Sequence, residues 1–208
     1  MPTTDEAVEL TRRELENFCR EFLEHPYLCY TEHGQHARFA GQLYNAIRED
    51  ERYDVVNGHR ICRVQKEYPT NENLDKSRRQ HWDVALLART SDTQDLTFHY
   101  DHLPLATVVE FGLNAWKKHL KDDIERLSHS DSNVHQGFIA HLYRLSSVGA
   151  RPSRRDQSPN STSILTAADI QVLLEGKSIE VYLGVYNSAA RNTTGLWKIT
   201  ASEAIQLV

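Results

Sequence analysis

Apolar residues recur at two spacings along this chain, and the switches between them divide it into elements. Thr3 followed by Glu6 resembles a helix capping box, and Leu15, Phe18, Cys19, Phe22 and Leu23 then fall at helical spacing as far as Pro26. This predicts a first helix over residues 4–24. Thr31 is a suitable cap for a second helix, with Glu32 in its first turn and a stripe of Phe39, Leu43 and Ile47. Residues 54–59, with Asn57-Gly58, predict a turn into a strand over Ile61–Glu67 that ends on Glu67. A second strand is expected over His81–Ala88 and a third over Ala106–Leu113. In the third, Val109, Phe111 and Leu113 share one face, and Val108, Glu110 and Gly112 the other.

A helix over Asn114–Leu127 follows, with Trp116, Leu120, Ile124 and Leu127 as its apolar face and Asp123 within that stripe. Lys117, Lys118 and Lys121 lie towards its outside. Gly137–Leu145 is apolar on both faces and predicts an internal strand. Thr166 and Asp169 then open a short helix to Leu174 stopped by Gly176, and strands over Ile179–Tyr186 and Leu196–Thr200 close the pattern. Three polar stretches read as loops: 69–79; 89–104, where His99, Asp101 and His102 match no standard zinc spacing; and 146–163, made basic by Arg151, Arg154 and Arg155.

Composition changes this picture little. With 208 residues, 39% hydrophobic and 25% charged, the chain has globular composition and the length of one domain. A net charge of −5 argues against coating nucleic acid by bulk charge and leaves room for a local basic groove. The three cysteines (Cys19, Cys29 and Cys62) form no CxxC pair and cannot all pair internally, so a reducing compartment is expected. No signal-peptide order and no membrane-length apolar run occurs, which predicts a cytoplasmic protein without membrane attachment. Asn160-Ser-Thr and Asn192-Thr-Thr match the glycosylation sequon, but without a secretion signal they read as chance matches.

Asp83 and Glu110 stand out because each interrupts an apolar strand. A carboxylate in a sheet centre is costly unless a metal, a proton or a partner offsets it, so two acids on neighbouring strands can make a cation site. The plain alternative is that each sits at a strand end and meets water or an arginine such as Arg79. For Glu32 the plain alternative is a helix-dipole position worth ~0.3–1 kcal/mol.

The order helix, helix, strand, acidic strand, acidic strand, basic amphipathic helix, strand resembles the PD-(D/E)xK nuclease superfamily. The likeness rests on Asp83 in Trp-Asp-Val-Ala-Leu-Leu, Glu110 in Val-Val-Glu-Phe-Gly-Leu, and the helix ending Asp123-Ile-Glu-Arg-Leu127. It covers about residues 28–145; the helix over 4–24 and the elements over 164–208 flank that core. The resemblance implies an α/β, restriction-endonuclease-like fold with a mixed central sheet flanked by helices. It implies that Asp83, Glu110 and the carbonyl of Phe111 hold Mg2+ or Mn2+, with Glu67 as a third acid and Glu32 as an accessory one. The implied activity is metal-dependent hydrolysis of phosphodiesters, with DNA the expected substrate.

The chain departs from the family pattern at one position. The lysine expected two residues after the motif glutamate is Gly112. Lys66, Lys117, Lys118 or Lys121 could reach the same point, since an ammonium on a flexible stem can migrate. Lys66 and Glu67 should face opposite ways on an ideal strand, so only a bulge or strand end would bring both inward. Arg78, Arg79, Arg151, Arg154 and Arg155, with the helix lysines, are candidates for phosphate contact. The competing expectation is a catalytically inactive nuclease-fold module that binds nucleic acid or protein, with Gly112 serving close packing. Whether the chain forms a homodimer or takes a protein partner is left open.

Overall fold

The computed structural model describes residues 4–70, 80–89, 103–145, 165–188 and 193–208. Arg78, Arg79, Arg151, Arg154 and Arg155, and the group His99, Asp101 and His102, lie outside the described residues. In chain order the elements are α1 (Thr4–Glu24), α2 (Glu32–Ala46), a 3-10 turn (Glu49–Glu51), β1 (Tyr53–Val56), β2 (His59–Cys62), β3 (Val64–Pro69), β4 (His81–Leu87) and β5 (Leu105–Leu113). They continue with α3 (Lys117–Leu127), β6 (Val134–Leu145), α4 (Ala167–Leu174), β7 (Ile179–Asn187), β8 (Gly195–Ile199) and β9 (Ala204–Gln206).

The alternation read from the sequence produces an α/β architecture. Seven strands form a mixed sheet in the order β3-β4-β5-β6-β7-β8-β9. The β5–β6 and β6–β7 pairs are parallel and the other pairs antiparallel. The two parallel steps are bridged by α3 and by the segment containing α4, as a parallel crossover requires. Both faces are apolar because both are covered. Val84, Val109, Phe111, Phe138 and Tyr182 pack with Phe18, Phe39 and Leu43 of α1 and α2, whereas Ala85, Val108, Ile139 and Val181 pack with Leu120, Ile124, Ile170 and Leu174 of α3 and α4. Phe111 sits 5.6 Å, ring to ring, from both Phe18 and Phe39, which seats β5 firmly beneath the first two helices.

Four sequence readings need correction. The run 61–67 does not make one strand: β1 and β2 form their own hairpin around Asn57 (φ 50°) and Gly58 (φ 78°), and β3 starts separately at Val64. Arg63 divides them, because its buried guanidinium reaches back to the carbonyls of Leu87 and Glu51. The third helix begins at Lys117, and Trp116 is its N-terminal flanking residue, 53% exposed, so it forms no part of the apolar face. Asn114 stops the strand there: it adopts φ 53°, and its side chain accepts the amide of Arg144. Finally, Leu196–Thr200 does not close the pattern: the residues after it add β9 to the sheet edge. The caps at Thr31 and at Thr166 with Asp169 form as the sequence predicts. Among the described residues no helix is long and apolar enough to cross a membrane.

Candidate active site

The acids converge at the C-terminal end of β5. The antiparallel ladder pairs Val84 with Val109, which brings the next residues along, Asp83 and Glu110, together across the two strands. There a side chain takes over the ladder: the Phe111 amide donates to Asp83 Oδ2 at 2.8 Å. Asp83 retains partial access, with 20% of its side chain exposed, while Glu110 has only 2%. Burial first of all, then the charges of Glu32 and Asp123, raises the Asp83 carboxyl to about 6, against the pull of the Phe111 amide and of Glu110. Glu110 is pushed well above the usual carboxylate range by burial and by the Asp83 charge beside it.

Glu110 also has a cationic partner. Arg126 of α3 approaches Glu110 Oε2 at 2.8 Å and Asp123 Oδ1 at 3.1 Å, with its guanidinium over the Trp82 ring. The arginine that answers Glu110 is therefore Arg126, from the following helix. One cation shared between two buried carboxylates leaves the group short of positive charge, and among the described residues no donor satisfies Glu110 Oε1, which can meet the Asp83 carboxyl only through a shared proton. This orphaned oxygen beside a half-accessible carboxylate suits a small divalent cation, which takes oxygen ligands from one or two carboxylates and completes its shell with water or phosphate. Phe111 contributes its amide to Asp83; its ring is fully buried.

The α2 side adds five groups. Glu32 accepts the Leu113 amide through Oε2 at 2.8 Å, so it fixes the end of β5 as well as lying near the acids. His36, one helical turn later and 2% exposed, places Nε2 3.4 Å from Asp83 Oδ2, but neither ring nitrogen has hydrogen-bond geometry to any group. Burial, with the positive charges of His33 and Lys66, lowers its pKa to about 4, so the ring is neutral near pH 7. Glu67 takes φ 54°, and this irregularity turns Lys66 and Glu67 to the same side, with Lys66 Nζ on Glu67 Oε1 at 2.6 Å. His33 Nδ1 reaches the same oxygen at 3.3 Å.

On the α3 side, the nearest atoms to a Cβ built on Gly112 are those of the His141 ring, and no ammonium of the described residues is among them. The cross-strand partner of Gly112 is His141, and a Cβ built on Gly112 would lie 2.5 Å from its Nε2. Lys117 and Lys121 act instead on Asp169 of α4, on the opposite flank of α3 from His119 and Arg126, and Lys118 is exposed. Of the expected lysines, Lys66 is the one paired with a candidate acid, Glu67. The space above Gly112 belongs to a triad with two buried members: His141 Nε2 is 3.3 Å, and the partly exposed His119 Nε2 3.6 Å, from Asp123 Oδ2.

His36, His119, His141 and Arg126 thus join a site of which the sequence reading named the acids, Lys66 and the Phe111 carbonyl. His33 and His36 directly after Glu32, and the four-residue step from His119 to Asp123, were visible as helical spacing. The pairing of Gly112 with His141 depends on strand register and left no sequence signal. No family model, curated protein or solved structure matches this chain.

Proposed function

We propose that the chain is a divalent-cation-dependent phosphodiesterase acting on nucleic acid, with DNA the expected substrate, built on a variant of the restriction-endonuclease-like scaffold. The observation that carries this reading is the meeting of Asp83 and Glu110 across β4 and β5, with a buried Glu110 oxygen that no described donor satisfies. Glu110 Oε1 and the Asp83 carboxylate would hold Mg2+ or Mn2+, with the neighbouring Phe111 carbonyl as the third donor the resemblance implies. When bound, such an ion supplies a water activated at neutral pH and positive charge for the phosphoryl oxygens.

The chain's own groups have separate tasks. Lys66, one-third exposed and already drawn to this side by Glu67, is the cation that can meet a scissile phosphate, in place of the absent motif lysine. Glu67 holds that ammonium. Glu32 keeps the end of β5 in position through Leu113. Neutral His36, with both nitrogens unpartnered, can accept a proton from a water near Asp83. Arg126 neutralises part of the acid cluster and keeps Glu110 oriented.

The test is cleavage of single- and double-stranded DNA and RNA by the purified chain in Mg2+ and in Mn2+. Asp83→Ala should abolish cleavage while the circular dichroism spectrum and cooperative melt persist; undiminished cleavage by this variant rejects the assignment. The Glu110–Arg126 pair favours a second reading, a silent nuclease-fold module whose acids are stabilised internally. That reading predicts no cleavage by the wild-type chain in either metal.

A further inference from the structure

A second group of donors lies on the other side of Arg126, made by residues that the phosphodiesterase reading leaves without a task. Asp123 and His119 are one helical turn apart on α3, and His141 comes from the centre of β6. Their three nearest ligand atoms lie within 4.8 Å of one another. Asp123 and His141 are buried, at 2% and 0% side-chain exposure, whereas His119 is 40% exposed and opens the group to solvent.

The spacing matters more than the proximity. His141 Nε2 and His119 Nε2 stand 3.3 and 3.6 Å from the same Asp123 oxygen. Hydrogen bonds between nitrogen and oxygen favour about 2.9–3.0 Å, so the His141–Asp123 contact is a long one and the His119–Asp123 contact longer still. Four ligands around zinc, with bonds of about 2.0–2.1 Å to nitrogen, stand about 3.3–3.4 Å apart along the edges of the tetrahedron. The observed separations are near that edge.

The surroundings match those of a metal ligand set as well. His141 directs its other nitrogen, Nδ1, to the Tyr143 hydroxyl at 3.4 Å, and the second oxygen of Asp123 accepts from Arg126 at 3.1 Å. Such outer contacts fix the ring orientation and leave Nε2 and Oδ2 for the ion. Gly112 completes the arrangement, because any Cβ there would strike the His141 ring.

We propose that His119, Asp123 and His141 form a site for a late first-row divalent cation of the Zn2+ class, with three protein ligands and a fourth position open beside His119. Two imidazoles and one carboxylate select such ions over Mg2+, which prefers oxygen donors. The site shares Arg126 with Glu110 but takes none of its three donors from the Asp83–Glu110 pair, so it can exist whether or not that pair supports cleavage.

The experiment uses Co2+ as a spectroscopic probe on the full chain stripped of metal, with Zn2+ added in competition. One equivalent of Co2+ should bind with the intense visible absorption of a four-coordinate ion, and Zn2+ should displace it. His119→Ala, at a side chain 40% exposed, should weaken Co2+ binding at least tenfold and lower the intensity. Asp123→Asn should weaken it too, while Asp83→Asn should leave the spectrum unchanged. The proposal is overturned if no saturable spectrum develops, if His119→Ala binds as tightly as the wild type, or if Asp83→Asn removes the signal. Binding in the predicted pattern without any nuclease activity would uphold this site and reject the phosphodiesterase reading.

Discussion

Gly112 carries the greatest consequence of any single position, because the family likeness wants a lysine there and the neighbouring strand has filled the space. His141 is fully buried and held by Asp123, so its ring cannot yield cheaply to a new side chain. Gly112→Ala should therefore destabilise the fold by about 1–3 kcal/mol, the usual cost of overpacking a tight interior. The measurement is denaturant unfolding of Gly112→Ala, of His141→Ala and of the double variant. If the clash is the cause, the Gly112 substitution should cost much less in the His141→Ala background; equal costs in both backgrounds would refute it. The acids were legible in the sequence because Asp83 and Glu110 break apolar runs, a violation that needs no partner to be noticed. His141 was not: a histidine among Ala140, Leu142 and Tyr143 reads as one polar residue in a buried strand until the register with β5 is known.

The elements that sequence periodicity recovers best are those stabilised by their own pattern. The α1 stripe, the β5 alternation and the capping box of α4 are local signals, and each forms where it was read. What the periodicity missed depends on groups distant in the chain. Arg63 divides a plausible strand because the Leu87 carbonyl lies within its reach, and α3 starts late because Asn114 is fixed by the Arg144 amide on β6. At Glu67 the irregularity shapes the proposed site: a left-handed backbone in β3 accompanies the Lys66–Glu67 pair on one side. An L-residue in that conformation costs about 1–2 kcal/mol that glycine avoids. Glu67→Gly should therefore be more stable than Glu67→Ala by about 1 kcal/mol, the reverse of the order expected in a regular strand. Both variants lose the same carboxylate, so the comparison isolates the backbone. Thermal and urea melts of the pair measure it, and an Ala variant at least as stable as the Gly variant would contradict the account.

For the molecule as a whole, the acid cluster makes stability depend on pH in an unusual direction. Carboxyl groups in ion pairs commonly have lowered pKa values and stabilise a fold as pH rises; here the two central ones are raised, Asp83 from 3.8 to about 6 and Glu110 well above 4.5. Above the unfolded values the native chain therefore keeps protons that the unfolded chain has released, and stability falls as pH increases. His36, lowered from 6.5 to about 4, works the other way, since the unfolded chain binds its proton across that interval. It offsets one of the two acids up to about pH 6 and has no further effect once the unfolded imidazole is also neutral. The remaining excess is the proton on Glu110, and each pH unit over which it is retained costs up to about 1.4 kcal/mol of stability. Melting without divalent cation should thus occur at lower temperature near pH 8 than near pH 5.5 by an increment that Glu110→Gln lacks, because the amide stands permanently for the protonated acid. A cation bound by Asp83 and Glu110 replaces that proton, so Mn2+ should raise the melting temperature of the wild-type chain far more at about pH 8 than at about pH 5.5. If Glu110→Gln shows the same pH profile as the wild type, the proton resides elsewhere. If Mn2+ stabilises both proteins alike at both pH values, the ion does not bind between these carboxylates.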